Sequence, residues 1–297
     1  MVKCIVTGGA GFIGSHLVDR LILENHDVAV IDNLSLGNND FINLKAIFYN
    51  EDITDYNKIR PLFDKVDVVF HLAADPRLQV SIEKPIETNK ININGTLNVF
   101  QAAKEAGIKK IIFSSSCAVY GDQLLPIHED MAPVPKSLYG LQKLVGENYA
   151  RLYCELYGMQ IVSLRYFNVY GPRKRMDGAY PMVIPIFLKQ KLQGEAMTIV
   201  GDGEQTRDYV HVSDVVLANI KAWKSDVSNG TIINIGSGRQ TSVNEIAMFI
   251  GGDIIHVAGR IGEMRYIEAD IKKAKKLLGW EPKIYIEDGI EQLKKTL

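Results

Sequence analysis

The 297-residue sequence has few cysteines, no long apolar run and almost no net charge. Its three cysteines, Cys4, Cys117 and Cys154, are odd in number, far apart and outside any C-x-x-C spacing. This pattern argues against a disulfide framework and against a metal centre, and it indicates a reducing compartment. A formal net charge of −1 gives no reason to expect nucleic acid or an anionic membrane as a partner. Because no signal peptide and no apolar stretch of bilayer length is recognisable, we expect a cytoplasmic protein.

Short apolar runs rich in Val and Ile recur through the first half of the chain, separated by helix-like or turn-rich intervals. They lie at residues 2–6, 27–31, 46–49, 66–72, 110–114 and 160–165. Continuous apolar strands joined by crossovers predict a parallel sheet that is buried on both faces. We therefore expect an α/β fold with a doubly wound parallel sheet of the Rossmann type. Helices are predicted at 56–63, 89–106 and 137–157.

After residue 165, glycines and prolines break this alternation into shorter pieces. The predicted organisation is a cofactor-binding Rossmann domain at residues 1–165 and, at 166–297, mostly a smaller α/β substrate lobe at the C-terminus. The lobe should cover the carboxyl ends of the strands, where open α/β sheets bind ligands. We predict that a segment near 207–237 returns to the first domain. This segment contains strand-like residues 207–212, a helix-like stretch and a strand at 231–235.

A glycine-rich segment, TGGAGFIGSH at 7–16, joins the first apolar run to an amphipathic one. Its glycines are Gly8, Gly9, Gly11 and Gly14, and the last three fit G-x-G-x-x-G. Such a turn lets a dinucleotide diphosphate approach the backbone at a helix N-terminus, although an ordinary strand-to-helix turn also accommodates glycines. Asp32 ends the next run at about the twenty-residue distance where an acid binds the ribose hydroxyls. Because that acid would repel a 2′-phosphate, the sequence favours NAD over NADP.

Tyr139 and Lys143 lie four residues apart in a predicted helix and therefore share one face. An ammonium beside a phenol lowers the phenol pKa, ordinarily about 10, so Tyr139 is a candidate general base. The serines at 114–116 end the fifth strand at the ligand-binding edge, where one hydroxyl can relay a substrate proton to Tyr139. The alternative interpretations are that Tyr139 and Lys143 form an exposed helical pair with no role and that the serines at 114–116 form a polar turn.

Further motifs follow the glycine segment in one order along the whole chain. They are Asp32, FHLAA at 70–74, SSSCAVYGD at 114–122, YGLQK at 139–143, LRYFNVYGPR at 164–173 and TRDYVHVSD at 206–214. With these motifs the chain resembles the extended short-chain dehydrogenase/reductase family. Within that family it is similar to the NAD-dependent nucleotide-sugar 4-epimerases of the UDP-galactose/UDP-glucose type.

The resemblance implies NAD as the cofactor, a UDP-sugar as the substrate and a catalytic set of Ser116, Tyr139 and Lys143. Tyr139, bridged by Ser116, would take the 4-hydroxyl proton while the C4 hydride passes to NAD and returns to the other face of a 4-keto sugar. Cofactor contacts are implied for Gly8, Gly11, Phe12, Ile13, Asp32, Asn33, Asp52, Ile53, Leu72, Ala73, Ala74, Ser114, Tyr139, Lys143 and Tyr166. Substrate contacts are implied for Ser116, Asn168, Arg207 and Arg260, with the two guanidinium groups on the diphosphate.

Other reactions of the same family remain alternatives: those of a dehydratase, a decarboxylase, a reductase or a UDP-glucuronate 4-epimerase. The dehydratases and decarboxylases carry an acid between the catalytic Ser/Thr and V-Y-G, where this chain has Cys117 and Ala118. Removal of a C5 proton therefore has no evident base. The resemblance implies that Ile267 falls at the position where family members admit or exclude an N-acetyl group, and isoleucine leaves that choice open. The resemblance also implies a homodimer formed through the helices at 89–106 and 137–157.

Overall fold

The computed structural model describes residues 1–174, 182–258 and 265–295. Strands and helices alternate along the first of these ranges. The strands are β1 Lys3–Thr7, β2 Asp27–Ile31, β3 Ile47–Tyr49, β4 Val68–His71, β5 Lys110–Ser116, β6 Gln160–Tyr166, β7 Asn168–Tyr170, β8 Met197–Val200, β9 Thr206–Arg207, β10 Tyr209–His211, β11 Thr231–Ile235, β12 Thr241–Ser242 and β13 Ile254–Val257. The α-helices are α1 Phe12–Leu23, α2 Tyr56–Ile59, α3 Leu78–Glu83, α4 Pro85–Asn89, α5 Thr96–Glu105, α6 Leu138–Tyr157, α7 Val183–Leu192, α8 Val212–Lys224, α9 Val243–Ile250, α10 Lys272–Leu278 and α11 Ile286–Lys295.

The central sheet has seven strands in the order β11-β6-β5-β4-β1-β2-β3, and all neighbouring strands are parallel. The predicted doubly wound parallel sheet is confirmed. The strand order reverses between β1 and β4, and this switch point is where open α/β sheets bind ligands. β11 comes from far along the chain and pairs with β6 from Thr231 opposite Val162 to Ile235 opposite Tyr166.

Successive residues of each strand enter two different apolar layers. On one face of the sheet Val6 belongs to a cluster with Leu17 of α1 and Val215 of α8. On the other face Ile5 belongs to a cluster with Phe100 of α5. Because helices cover both faces, the strands are apolar throughout and do not alternate with polar residues.

A smaller lobe has its own apolar core. Phe187 of α7, Ile246 of α9, Ile290 of α11 and Ile199 of β8 are all buried in one cluster. Three two-stranded sheets accompany it: β7 with β10, β9 with β12, and β8 with β13. No helix in the described ranges is long and apolar enough to cross a membrane.

The structure differs from the predicted elements in three places. The helix predicted at 56–63 becomes a 3-10 helix at Arg60–Phe63, because Pro61 lacks the N–H that continues an α-helix. The helix predicted at 89–106 begins four residues earlier, at Pro85, and contains a π-helical stretch at Lys90–Gly95. The strand predicted at 207–212 is divided into β9 and β10, because Asp208 between them turns inward to accept hydrogen bonds.

Candidate active site

The glycine loop between β1 and α1 lies at the switch point of the sheet. Gly8 has a φ of +72°, and a side chain there would meet the backbone nitrogen of Ala73 at 2.7 Å. A side chain at Gly14 would collide with the Gly8 carbonyl oxygen. Gly11 caps α1 without a side-chain hydrogen bond, so the first N–H groups of the helix, at Phe12 and Ile13, suit an anionic ligand. This bare, concave backbone fits a dinucleotide diphosphate.

Asp32 follows β2 and is 9% exposed. Its Oδ2 accepts from the Ala10 N–H at 3.0 Å and its Oδ1 from the Leu34 N–H at 2.8 Å. Burial raises the pKa of this carboxyl, and the two backbone hydrogen bonds oppose that rise. The carboxylate next to the glycine loop suits ribose hydroxyls and disfavours a phosphate.

Three further predicted cofactor residues lie near Asp32 at the same edge of the sheet: Asn33, Asp52 and Ile53. The Asn33 Nδ2 donates to Asp52 Oδ2 at 2.8 Å, and Asp52 Oδ1 accepts from the Thr54 N–H at 2.7 Å. Ile53 is 5% exposed, and its carbonyl accepts from Asn98 Nδ2 at 2.9 Å. These contacts hold the loop after β3 close to the end of β2.

The segment after β4, Leu72 to Ala74, lies against the glycine loop. The Leu72 N–H donates to the Thr7 carbonyl at 3.1 Å, and the Ala73 N–H donates to Thr7 Oγ1 at 3.3 Å. The Thr7 hydroxyl also pairs with His71 Nδ1 at 2.7 Å. The segment and the glycine loop therefore form one wall of the site.

The three serines of β5 have different surroundings. β5 extends to Ser116, two residues beyond the predicted end. The Ser114 carbonyl accepts from Lys143 Nζ at 2.7 Å, whereas the Ser115 hydroxyl donates to the buried carboxylate of Glu147 at 2.5 Å. Ser116 Oγ accepts from the Ala118 N–H at 3.1 Å and lies beside the phenol of Tyr139. Ser116 is therefore the serine whose hydroxyl adjoins the candidate base.

Tyr139 and Lys143 occupy the first turns of α6. Ser137 caps this helix, its Oγ accepting from the Gly140 N–H at 3.0 Å, as the sequence predicts. Tyr139 is 8% exposed and Lys143 3% exposed. Lys143 Nζ lies 5.9 Å from the centroid of the Tyr139 ring and 5.0 Å from that of Phe113. The two side chains thus share one buried face of the helix.

In the protein without a ligand the net shift of the Tyr139 pKa is upward, and the lowering effect expected of Lys143 stays a prediction. Burial raises the pKa of Tyr139 above its ordinary value, and the Ser116 hydroxyl opposes this only in part. Burial also lowers the pKa of Lys143 to about 7, although the charge of Glu147 acts to raise it. Both groups favour their neutral forms because neither is solvated. A further positive charge in the site would favour the ionised phenol.

Tyr166, Asn168 and Arg207 lie on strands that continue from the carboxyl edge. The Tyr166 hydroxyl donates to Asn219 Oδ1 at 2.9 Å, and Asn168 Nδ2 donates to the Asp208 carbonyl at 3.2 Å. Arg207 is half-buried, and its Nη1 donates to the Thr206 carbonyl at 2.8 Å. Arg260 lies outside the described residues.

Asp208, next to Arg207, is a fully buried carboxylate with four hydrogen bonds. It accepts from the N–H and the hydroxyl of Ser237 at 2.5 and 2.8 Å, from the Gly238 N–H at 2.9 Å and from the Ala269 N–H at 3.0 Å. Burial nevertheless raises its pKa to about 6. Asp208 thereby holds the backbone that carries Arg207 against two other segments of the chain.

Cys117 and Ile267 belong to one small apolar cluster beside β5. Ile267 is 4% exposed and packs with Tyr120 and Phe167, while Cys117 lies at the edge of the cluster. Burial raises the pKa of the Cys117 thiol to about 12, which makes it an unreactive apolar side chain. The role of Ile267 toward an N-acetyl group stays a prediction.

The sequence interpretation missed a buried polar network beside Tyr139. Asn92 and Gln142 are 2% and 4% exposed and are hydrogen-bonded to each other at 2.7 Å. Asp75 is 4% exposed, and its charge further raises the pKa of Tyr139. Asn92, a weak helix former inside a predicted helix, marked an unusual position but not its partners, and Gln142 gave no signal because glutamine favours helices. Among the described residues no cluster of His, Cys, Asp and Glu could hold a metal ion.

Comparisons with known proteins agree with this geometry. Residues 4–236 match the model of the NAD dependent epimerase/dehydratase family. A relative from Methanocaldococcus jannaschii, provisionally named a UDP-glucose 4-epimerase, is 45% identical over 97% of this chain and 96% of its own length.

Two solved structures are similar over nearly their whole length. UDP-glucose 4-epimerase of Thermotoga maritima, solved with UDP-glucose, is 39% identical, covers 99% of both chains and gives a TM-score of 0.93. UDP-glucose 4-epimerase of Thermus thermophilus, solved with NAD, is 33% identical, covers 97% of this chain and 96% of its own, and gives a TM-score of 0.89. The chain therefore belongs to the NAD dependent epimerase/dehydratase family.

Proposed function

We propose that this chain is an NAD-dependent UDP-sugar 4-epimerase that interconverts UDP-glucose and UDP-galactose, with N-acetylated forms as further candidate substrates. The observation that carries the proposal is the grouping of Ser116, Tyr139 and Lys143 at the edge of the sheet that also carries the glycine loop. Neither Cys117 nor Ala118 supplies the acid that the dehydratases and decarboxylases of the family place after the catalytic Ser or Thr.

Each catalytic side chain has one task in this proposal. Bound NAD supplies the hydride acceptor and donor for the sugar C4. Tyr139 takes the proton of the 4-hydroxyl as general base, and the Ser116 hydroxyl bridges the two oxygens. Lys143 holds the nicotinamide ribose and stabilises the phenolate of Tyr139. After the 4-keto sugar turns over in the site, Tyr139 returns the proton to the oxygen of the inverted C4.

The cofactor contacts extend the proposal along the carboxyl edge of the sheet. Gly8, Gly11, Phe12 and Ile13 bind the diphosphate, and Asp32 and Asn33 bind the adenosine ribose. Asp52 and Ile53 contact the adenine. Leu72, Ala73, Ala74, Ser114 and Tyr166 contact the remainder of NAD. The uncapped start of α1 and the carboxylate of Asp32 beside the loop support these assignments.

The substrate contacts, apart from Ser116, belong to the C-terminal half. Asn168 and Ser116 bind the sugar or diphosphate, and Arg207 and Arg260 bind the diphosphate. The Asn168 side chain donates to the Asp208 carbonyl, and Arg207 precedes Asp208 in the chain, so Asn168 and Arg207 lie close to each other, which supports their assignment to one ligand. In this arrangement residues 1–165, together with the segment near 207–237, form the NAD-binding domain, and the rest of 166–297 forms the substrate lobe.

The assembly and location are part of the same proposal. We propose a cytoplasmic homodimer formed through the helices around 89–106 and α6. Leu152 and Leu156 on α6 are 37% and 67% exposed, which supports a further apolar contact there. The three unpaired cysteines suit a reducing compartment.

The experiment is NMR of the purified protein with UDP-galactose, UDP-N-acetylgalactosamine and UDP-glucuronate, each incubated separately without added reductant. Inversion at C4 of UDP-galactose is the expected result. Loss of carbon dioxide or water from a substrate would favour a decarboxylase or dehydratase. No C4 inversion across a broader panel of sugar nucleotides would refute the epimerase assignment.

A further inference from the structure

Gln142 is a buried polar residue that lies between the two catalytic residues of α6 and that the chemistry above does not use. Only 4% of it is exposed. Its Oε1 accepts from Asn92 Nδ2 at 2.7 Å, and its Nε2 donates to Thr88 Oγ1 at 3.0 Å. Both ends of the amide therefore have partners, and both partners lie on the run of helix that begins at Pro85.

Asn92 extends this contact to the segment that forms the wall of the site. Its Oδ1 accepts from the Asp75 N–H at 2.8 Å, and its Nδ2 donates to the Asp75 carbonyl at 2.9 Å as well as to Gln142. The two bonds to one residue fix the orientation of the Asn92 amide, because donor and acceptor cannot exchange places. Asp75 directly follows Leu72 to Ala74, so the chain of contacts runs from that segment to α6.

Asn92 lies in the π-helical stretch at Lys90–Gly95, which positions its amide between Asp75 and Gln142. One side chain of the stretch, Asn92, reaches both Asp75 and Gln142. Such stretches are rare and occur frequently at functional sites. A regular α-helix would rotate every following residue relative to Asp75. The irregular turn therefore places the amide where both partners can be reached.

A second contact fixes the start of α6. The Tyr139 N–H donates to Ser81 Oγ at 3.2 Å, and the Ser81 hydroxyl itself donates to the Leu78 carbonyl at 2.6 Å. The bond at Tyr139 holds the end of the helix, and the bonds at Gln142 hold it most of a turn further along. Together they fix the helix against sliding and against rotation about its axis.

We propose that Gln142 is a positioning residue that, through Asn92, sets the distance between the Leu72-to-Ala74 wall and the pair of Tyr139 and Lys143. This inference rests on the proposed function, in which the wall contacts the cofactor and the pair acts on the sugar. A displacement of about 1 Å between such groups can lower a rate by about 100-fold, because proton and hydride transfer need aligned partners.

The test compares two glutamine-to-methionine variants of similar side-chain volume. Gln142→Met removes both hydrogen bonds. Gln190→Met is the matched control, because the Gln190 amide also makes two hydrogen bonds, both to Thr198, and lies in the other lobe. Thermal unfolding, kcat, KM for UDP-galactose and the amount of NAD retained after gel filtration are measured for both variants and the wild type.

We expect both variants to lose stability and only Gln142→Met to lose function. Its kcat should fall by about 10- to 100-fold while KM for UDP-galactose changes by less than about 3-fold, and less NAD should be retained. Gln190→Met should keep kcat and NAD retention. If Gln142→Met keeps the wild-type kcat and NAD content while losing stability, Gln142 has only a structural role and the inference is overturned.

A milder variant covers the case in which Gln142→Met does not fold. Thr88→Val removes the hydrogen bond to Gln142 Nε2 and the bonds that the Thr88 hydroxyl donates to the Lys84 and Pro85 carbonyls of its own helix, but it leaves the Gln142–Asn92 bond intact. It should lower kcat by a few-fold, in the same direction and again with little change in KM. An unchanged kcat and NAD content in this variant would also contradict the inference. Absence of C4 inversion by the wild type would refute the proposed function instead, and NAD retention would then still report on Gln142.

Discussion

Tyr139 illustrates how burial decides the chemistry of a side chain. Its phenol is almost removed from water, and Asp75 adds a negative charge nearby, so its pKa is raised although Lys143 lies one turn away. The ammonium is itself disfavoured by burial. Burial thus disfavours the charged form of both side chains, and a positively charged ligand would shift Tyr139 toward its basic form.

Removal of the Tyr139 hydroxyl gives the first prediction. Tyr139→Phe should retain NAD and lower kcat by about 10²- to 10⁴-fold, because it deletes the general base and keeps the ring. Tyr157→Phe, on the exposed end of the same helix, is the control and should keep full activity. Activity assays and the NAD content of purified protein check both variants. Wild-type turnover by Tyr139→Phe would exclude it as the base.

Asp208 gives a prediction about pH. Its folded pKa of about 6 lies above the ordinary 3.8, so the folded state holds this proton more tightly than the unfolded state does. The resulting stabilisation is complete below about pH 4 and is lost as pH rises through about 6, a change of roughly 2–3 kcal/mol. Asp208→Asn has no ionisable group at this position, so its stability lacks this pH dependence.

Urea unfolding of wild type and Asp208→Asn at several pH values between about 4 and 7 measures this difference. The free energy of unfolding of the wild type, relative to the variant, should fall as pH rises across that range. We also expect Asp208→Asn to raise KM for UDP-sugar, since the backbone carrying Arg207 loses its anchor. A stability difference that is constant with pH would contradict the assigned pKa.

At the scale of elements, the glycine loop requires Gly8 and Gly14, among its residues, to lack side chains. Gly14→Ala should push the loop away from Gly8, destabilise the protein by about 1–3 kcal/mol and reduce the NAD content. Gly107→Ala is the control: its φ is +76° but no atom lies within 4 Å of the added carbon. It should cost about 1 kcal/mol and leave NAD binding intact. Equal NAD content in both variants would contradict the role of the loop.

The sequence predicts the elements whose causes are local. The glycine loop, the cap at Ser137 and the apolar strands each depend on neighbouring residues, and the structure contains all of them. The π-helical stretch and the break at Asp208 depend on partners far along the chain: Asp75 and Gln142 for Asn92, and Ser237 and Ala269 for Asp208. No local pattern reveals those contacts. Burial also depends on the whole fold, and it raises the pKa of Tyr139, a direction that the sequence alone does not indicate.

At the scale of the molecule, exposed apolar residues of α6 make the proposed homodimer testable. Leu156→Arg should shift the protein from dimer to monomer, because a charge then faces the interface. Leu124→Arg is the control, since Leu124 is 84% exposed and lies on a different segment. Light scattering coupled to gel filtration gives the mass of each variant. A dimer that persists in Leu156→Arg would place the interface elsewhere.

The central claim is that the hydride removed from C4 returns to the same sugar within one turnover. The most direct measurement uses UDP-galactose deuterated at C4, incubated with the protein as purified and without added NAD or reductant, and follows the product by NMR. We predict UDP-glucose that retains deuterium at C4. Loss of the label from C4, or turnover only when NADH is supplied, would contradict the claim.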